Sequence, residues 1–229
     1  MKKILRLLLS KTEILMYRFR IVFLLLISFY FLNACSPTIG LKAVRDAENR
    51  DFPAPPIAGK DFSTALYKTS ISINKHYHTG IFLIKNNPVE KSFNIVLLSE
   101  FGLNLIEMRF KNDEIEIISC QDFLNHKIFT NNLKHSFEAI LLDYRQCTNK
   151  KLYSDNENNI KVLKLKNKSS RYYYFCNQNN YIYKIVKKSI LRKNLNIKIE
   201  FAESIVPKKI MFINEGIKMR MEMDLIKIK

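Results

Sequence analysis

The sequence predicts a mainly β (α+β) domain built on one large antiparallel sheet. Apolar and polar residues alternate with a period of two along many short segments, which is typical of strands that bury one side and expose the other. Asparagine-rich turns separate these segments, so consecutive strands are expected to pair as hairpins. The 229-residue chain is 47% hydrophobic and 12% aromatic. This composition can bury a large core and excludes a disordered protein.

The first element is predicted to be a secretory signal segment. Residues 21–32 are apolar or uncharged and follow two arginines, and the stretch is shorter than the roughly 20 residues that span a bilayer. The residues that follow, Leu-Asn-Ala-Cys ending at Cys35, resemble the lipobox of bacterial lipoproteins, in which the cysteine is lipidated and becomes the new N-terminus. Two alternatives stay open: an uncleaved anchor helix, and a start at Met16 rather than Met1.

Cleavage before Cys35 would divide the chain into three parts. Residues 1–34 are predicted to form the signal peptide, residues 35–60 a lipidated, proline-rich tether, and residues 61–229 the folded domain. The tether holds four of the six prolines, which favours an extended chain, with a short helix around residues 41–49. Cleavage removes six basic and one acidic side chains and lowers the net charge from +17 to +12, so the mature protein is strongly basic.

The folded domain is predicted to be a meander of eleven strands. Alternation is clearest where isoleucines, methionines and phenylalanines are separated by single charged or amide residues, as in residues 106–111, 195–201 and 217–224. The predicted strands are 64–73, 79–85, 92–99, 103–110, 114–118, 160–166, 171–176, 181–187, 195–201, 208–213 and 217–228.

One segment, residues 120–145, interrupts the meander with a helical pattern. Its apolar residues fall near helical spacing, Asp122 suits the start of a helix, and the pair Asn131-Asn132 is expected to divide the segment into two short helices. The economical arrangement is a strongly curved antiparallel sheet with short helices lying across its apolar face.

Sequence motifs of enzymes are absent. There is no GxSxG, no HExxH and no glycine-rich phosphate loop, so no catalytic residue, cofactor or enzymatic activity is predicted. His76 and His78 share one side of a predicted strand, but a third metal ligand is not evident, and an exposed strand end is favoured over a metal site. Cys120, Cys147 and Cys176 are predicted to be buried thiols, with a disulfide among them as the alternative.

Residues 150–193 form a strongly basic block. They contain twelve lysines and arginines against two acidic residues, interleaved with aromatic side chains. In an exported protein, anionic lipid headgroups rather than nucleic acid are the expected counterions. The alternative is a lysine-rich surface without a ligand.

Two stretches resemble the LolA/LolB family of lipoprotein-localisation proteins, and in particular its outer-membrane receptor type. The first comprises residues 80–84 and 93–108, where a strand ends in a short polar step, an apolar residue and a glycine before the next strand begins. The second comprises residues 207–228, which are similar to the closing hairpin of the family. The helical segment falls between the two stretches, as it does in the family, and the resemblance covers residues 62–229.

The resemblance implies a half-open β-barrel that binds acyl chains in an apolar cavity under a lid of helices. It also implies a lipid-anchored protein of the cell envelope, in the outer membrane facing the periplasm, because Ser36 rather than an acidic residue follows Cys35. The expected partners are lipid acyl chains or lipoprotein clients, the membrane and a periplasmic carrier protein. Strand alternation and helical spacing predict the residues that face the interior: Ile106, Met108, Phe110, Phe123, Leu133, Phe137, Ile197, Ile199, Met219 and Met221.

Phe101 is a further candidate site. It precedes Gly102 at the predicted tip between two strands, where residues are normally polar. By the resemblance, it corresponds to an apolar side chain that inserts into the target membrane. The alternative is that Phe101 folds back onto the core.

Two functions stay open. A carrier would bind acyl chains and help to transfer or insert lipoproteins or lipid at the outer membrane. The flexible side chains of Met219, Met221 and Met223 suit that role, although ordinary core packing also explains them. A structural or assembly lipoprotein would have a filled interior and would bind a protein partner or anionic lipid through its basic face.

Overall fold

The structure is a computed structural model that describes residues 20–24, 41–44, 52–74, 76–144, 147, 149–155, 160–167, 170–177, 179–188 and 194–229. The chain divides into a unit of Met1–Gly40 and a unit of Leu41–Lys229. In the first unit, residues 20–24 are helical and exposed. Within the described ranges, no helix combines the length and the apolar character needed to span a membrane. Cys35 and the predicted cleavage position lie outside the described residues.

The second unit contains thirteen strands. They are β1 (Lys42–Ala43), β2 (Thr64–Ile73), β3 (His76–Asn87), β4 (Ser92–Leu98), β5 (Asn104–Lys111), β6 (Glu114–Cys120), β7 (Lys150–Asp155), β8 (Ile160–Asn167), β9 (Ser170–Cys176), β10 (Ile182–Lys188), β11 (Leu195–Glu200), β12 (Lys209–Asn214) and β13 (Met219–Ile228). All pair antiparallel in one sheet of order β1-β7-β8-β9-β10-β11-β12-β13-β2-β3-β4-β5-β6. The sheet is not closed, since β1 and β6 form its two edges.

The mainly β, antiparallel architecture predicted from the sequence is confirmed. The eleven predicted strands are all present, with ends within three residues of the expected positions. Two meanders, β2–β6 and β7–β13, form a single sheet because the last strand, β13, pairs with β2. This long-range pairing lies outside what alternation along the chain can predict.

Strands β1 and β7 are not among the predicted elements. In place of the expected helix around residues 41–49, Lys42 and Ala43 pair with Ser154 and Tyr153 of β7, and residues 45–50 lie outside the described residues. The sequence of β7, Lys-Lys-Leu-Tyr-Ser-Asp, has too few apolar residues to show alternation. It is a strand because its backbone pairs with β8 over its whole length.

Among the described residues of the second unit there is one α-helix, α1 (Lys127–Leu141), which follows a 3₁₀ turn at Asp122–Leu124; a second 3₁₀ turn lies at Glu215–Ile217. The expected division into two helices at the paired asparagines is wrong. The side-chain amide of Asn132 donates a hydrogen bond to the carbonyl of Ile128 (2.6 Å), and its oxygen accepts one from Asn214 of β12. An asparagine bonded in this way does not compete with the helical backbone. The predicted capping aspartate is the first residue of the 3₁₀ turn instead.

Helix α1 packs against the core side of the sheet. The ring of Phe137 lies 4.9 Å from that of Phe82 in β3 and 6.1 Å from that of Phe212 in β12, measured between ring centres. The hydroxyl of Tyr174 in β9 donates a hydrogen bond to the carbonyl of Ala139 (3.2 Å). The helix therefore contacts strands of both meanders, and its buried residues share one core with them.

Part of the predicted tether packs against the same core. Phe52 and Ile57 are buried in it, and the hydroxyl of Tyr144 donates a hydrogen bond to the carbonyl of Pro53 (2.8 Å). The extended tether expected over residues 36–60 is therefore corrected, since residues 52–58 belong to the folded domain. An apolar, proline-rich stretch can be a linker or a cover for a core, and only the presence of an uncovered core decides between them.

Candidate functional site

Most residues predicted to face the interior lie in one buried core. The core is formed by α1 and by alternate residues of β5, β11 and β13, among other strands. The predicted residues that it contains are Ile106, Met108, Phe110, Leu133, Phe137, Ile197, Ile199, Met219 and Met221.

Phe123 lies outside this core, with 59% of its surface exposed. Its expected burial is wrong because it belongs to the 3₁₀ turn, in which the neighbouring Leu124 takes the buried position. The helical spacing of residues 127–141 does not continue through this turn. The correction places Phe123 at the surface beside the core rather than inside it.

The strand ladders have two ends with different turns. The Phe101 end carries the turns β2–β3, β4–β5 and β12–β13, and the Val89 end carries the turns β3–β4 and β5–β6. Phe101 and Val89 are almost equally exposed, at 91% and 93%. They form a matched pair of apolar side chains at opposite ends of the same sheet.

Ser99 shapes the turn that presents Phe101. Its hydroxyl accepts hydrogen bonds from the backbone N–H groups of Phe101 (3.2 Å) and Leu103 (3.1 Å), and its carbonyl accepts one from Gly102 (3.0 Å). Gly102 has a φ of +80°, a left-handed conformation that favours glycine. The turn is thus closed by its own polar groups, and Phe101 points away from the core.

Other exposed apolar side chains occur in the turn of Phe101 and in the segment that follows β6 at the same end of the sheet. Leu103, in the same turn, is 65% exposed, and Ile128 is exposed in the first turn of α1. The side-chain amide of Gln121 donates a hydrogen bond to the carbonyl of Asn104 (3.2 Å), which ties the turn containing Phe123 to the start of β5. We call Phe101, Leu103, Phe123 and Ile128 the apolar rim.

A small pocket connects the apolar rim to the core. Its volume is about 20 Å³, which is enough for about one water molecule and far too small for an acyl chain. An acyl chain could therefore enter here only if the 3₁₀ turn or α1 moved. The residues that line this pocket are Ile71, His78, Thr79, Leu97, Leu105, Phe123, Leu124 and Phe129.

A larger pocket opens at the Val89 end. Its volume is about 470 Å³, within the range of roughly 300–1,000 Å³ typical of small-molecule sites. Its apolar lining consists of Phe93, Phe110 and Leu141, together with Ala58 and Pro88. Phe110, a residue predicted to line a cavity, thus lines a pocket large enough for a small molecule. The polar lining consists of Lys60, Asp61, Asn86, Lys91, Asn112, Asp113 and Asp143.

A buried charged pair lies between α1 and β10, and sequence reasoning missed it. The ammonium group of Lys187 lies 3.9 Å from Oε2 of Glu138 and 5.4 Å from the ring centre of Tyr172, while the Lys187 side chain is only 4% exposed. Lys187 is two residues from Ile185 and therefore shares its core-facing side of the strand. The two-residue spacing from Ile185 is the sequence signal for the burial of Lys187, whereas its charge and its place in the basic block of residues 150–193 predict exposure.

Burial sets the protonation of this pair. It lowers the pKa of Lys187 to about 8, against the opposing effect of the Glu138 carboxylate. Burial alone would raise the pKa of Glu138, but a hydrogen bond from His135 and the charge of Lys187 hold it below its ordinary value. Burial and the nearby Glu138 raise the pKa of the Tyr172 phenol. Among the described residues, the Lys187 ammonium has the Glu138 carboxylate as its ion-pair partner, and no acceptor lies within hydrogen-bonding distance of it.

The histidine and cysteine candidates lie apart from one another. His76 and His78 are exposed near the start of β3, and no group of three potential metal ligands exists within the described part of the chain. Cys120, Cys147 and Cys176 carry free thiols. Cys176 is buried, and burial raises its pKa to about 12.

Comparison with known proteins gives similarities to solved structures. No protein-family model matches the chain, and no curated protein matches it. Among solved structures, it is similar to a LolA superfamily protein from Nitrosomonas europaea, with a TM-score of 0.49 and 9% identity over 75% of this chain and 86% of the other. It is also similar to a DUF1329 family protein from Desulfovibrio piger, with a TM-score of 0.38 and 9% identity over 73% and 85% of the two chains.

Proposed function

We propose that this protein is a lipid-anchored carrier of the outer membrane, facing the periplasm. It inserts the apolar rim into a bilayer and holds acyl chains of a lipoprotein or lipid against the core side of its sheet. The observation that carries the proposal is the exposure of Phe101 at the tip of a hydrogen-bonded turn. Exposure of such a side chain to water is unfavourable, and its transfer into a membrane interface lowers the free energy.

The rim can supply a useful part of membrane affinity. Burying one large apolar side chain contributes about 2 kcal/mol, and Leu103, Phe123 and Ile128 add to Phe101. An anchor at Cys35 would hold the protein at the membrane, and the rim would add affinity and orient the sheet on the bilayer.

Acyl-chain binding requires a change inside the sheet. Burial of a sixteen-carbon chain lowers the free energy by on the order of 10 kcal/mol, at about 0.8 kcal/mol per methylene. This stabilisation can offset the loss of packing around α1. Met219, Met221 and Met223 line the core side of β13, where flexible side chains can repack around a chain. We therefore propose that α1 moves away from part of the core when an acyl chain binds there.

The absence of tryptophan from the sequence allows a direct test of the rim. The full-length chain carrying Phe101→Trp or Val89→Trp is reconstituted into phosphatidylcholine vesicles, and the emission is recorded with and without lipids brominated on their acyl chains. We expect a blue-shifted, quenched emission from position 101 and a solvent-like emission from position 89. Solvent-like emission from position 101 would remove the membrane-inserting role.

A charge substitution tests the link between the rim and transfer. Phe101→Glu is expected to preserve the thermal unfolding transition, because the side chain is exposed, and to abolish transfer of lipoprotein or lipid to acceptor vesicles. Val89→Glu is the matched control and should leave transfer intact. Unchanged transfer in Phe101→Glu would contradict the proposal.

Cys35→Ala is expected to leave the chain unprocessed or soluble, which is scored by mass spectrometry and membrane partitioning.

The packing of the interior favours a second candidate function, a structural or assembly lipoprotein. Helix α1 and residues 52–58 occupy the core side of the sheet, and the pocket at the rim has room for about one water molecule. The two functions differ in whether lipid enters the interior. Mass spectrometry of lipids that copurify with the protein distinguishes them, since a carrier retains acyl chains and a filled domain does not.

A further inference from the structure

Strands β7–β11 place like charges opposite one another on the side of the sheet that faces away from the core. Lys151 pairs with Lys164, Lys166 with Arg171, and Lys184 with Lys198. Like charges directly opposite on neighbouring strands destabilise a sheet. We call these six residues the basic face. No ion pair of any of the six occurs among the described residues.

The same side of β11, β12, β13 and β2 shows the opposite arrangement. Glu200 lies opposite Lys209, Lys209 opposite Asp224, and Asp224 opposite Lys68, so the sign alternates across four strands. Lys209 is 3.4 Å from Glu222 and 3.7 Å from Asp224. A lysine-rich composition alone does not explain why one half of the surface is compensated and the other is not.

The centre of the basic face is apolar and lies next to the N-terminal segment. Val162, Tyr173 and Val186 form a buried cluster on the outward side, and Leu41 packs against it. The ammonium group of Lys164 lies 5.9 Å from the ring centre of Tyr173, and that of Lys184 lies 5.4 Å from the ring centre of Phe175. The chain therefore enters the folded domain through the middle of the uncompensated cations.

Leu41 is the described residue that lies closest in the sequence to the predicted anchor. Cys35 precedes it by six residues, and six residues span at most about 20 Å. We propose that the basic face binds the anionic headgroups of the membrane in which Cys35 is anchored. Phosphate groups complement its charge, and aromatic side chains among lysines suit the headgroup region. The inference rests on the lipid anchor of the proposed function.

A tryptophan reporter on this face tests the proposal. The full-length chain carrying Tyr183→Trp, next to Phe175 in β10, is reconstituted into vesicles of phosphatidylcholine or of equal parts phosphatidylcholine and phosphatidylglycerol. We expect a blue shift only with phosphatidylglycerol. The shift should disappear at salt concentrations that reduce the Debye length to about 3 Å.

Charge substitutions identify the residues responsible. In the same reporter chain, Lys164→Gln, Arg171→Gln and Lys184→Gln together should abolish the shift. The matched control, Lys68→Gln, Lys85→Gln and Lys227→Gln together, removes the same charge from exposed positions on β2, β3 and β13 and should preserve it. Circular dichroism melts confirm that both variants fold.

Three outcomes would overturn the proposal: a shift in neutral vesicles, a shift that survives the first set of substitutions, and a response to an acidic protein or oligonucleotide without a response to vesicles. The Phe101→Trp experiment uses neutral lipid, so failure of the basic face leaves the apolar rim intact. Failure of membrane anchoring instead removes both responses. The two proposals are therefore separable.

Discussion

Helix α1 lies between two regions of one sheet that hold it in different ways. On one side, the ring of Phe137 packs against those of Phe82 and Phe212. The polar contact on this side is the hydrogen bond that Asn214 donates to Asn132, more than one helical turn away from Phe137. On the other side, Tyr174 donates a hydrogen bond to the helix backbone and Lys187 pairs with Glu138. We call these the apolar wall, which includes β3 and β12 around Phe137, and the polar wall, which includes β9 and β10.

The difference indicates which contact is replaceable. Apolar packing is non-directional, so an acyl chain can substitute for Phe137 on the apolar wall with little loss. The polar wall is directional, because its hydrogen bond and ion pair require the helix in one position. An incoming chain is therefore expected to displace Phe137 from the apolar wall first, while the polar wall and the Asn132–Asn214 hydrogen bond hold α1 to the domain.

The substitution with the largest expected effect removes the ring of Phe137 from the apolar wall. Phe137→Ala should lower the free energy of unfolding by about 3–5 kcal/mol, because a fully buried ring leaves a cavity. Urea denaturation measures the change. Phe123→Ala, at the exposed position of the same segment, should cost less than about 0.5 kcal/mol. Similar costs for both substitutions would contradict the apolar wall.

The next test breaks the pair on the polar wall. Glu138→Gln should lower the free energy of unfolding by about 2–3 kcal/mol, because it leaves the Lys187 ammonium buried without its carboxylate. The double variant Glu138→Gln/Lys187→Met should recover most of this loss. If the single variant unfolds like the parent chain in urea, the pair does not hold the helix.

The pair also predicts how stability depends on pH. The folded state holds the pKa of Lys187 at about 8, below its ordinary value of 10.5. Between these values the unfolded chain binds more protons, so stability should rise with pH by about 2 kcal/mol from pH 8 to 10. Above pH 10 the buried phenols of Tyr172 and Tyr174, whose pKa values are raised, should reverse the trend. Thermal melts of Lys187→Met should lack the rise.

The smallest effect belongs to a single hydroxyl. Tyr174→Phe removes the hydrogen bond to Ala139 and should lower the free energy of unfolding by about 1 kcal/mol. Tyr183→Phe, at an exposed position of β10, is the matched control and should be neutral within the error of urea denaturation. A neutral Tyr174→Phe would leave the ion pair as the only directional contact of the polar wall.

Local patterns predicted the strands and the position of Phe101. Alternation depends only on neighbouring residues, so β5, β11 and β13 and their buried sides could be predicted from the sequence. The tip at Phe101 followed from two strand ends and a glycine. The helical spacing placed Leu133 and Phe137 correctly and failed at Phe123, where a separate turn begins.

The sequence by itself determined the antiparallel hairpins, the buried side of each strand and the basic composition, because each is a property of adjacent residues. Tertiary structure alone decided the pairing of β13 with β2, the burial of residues 52–58 and the burial of Lys187. Each depends on a segment more than forty residues away that supplies a ladder, a cover or a counter-ion. The outward lysines show the same division: their number is written in the sequence, but only the strand register places like charges opposite one another.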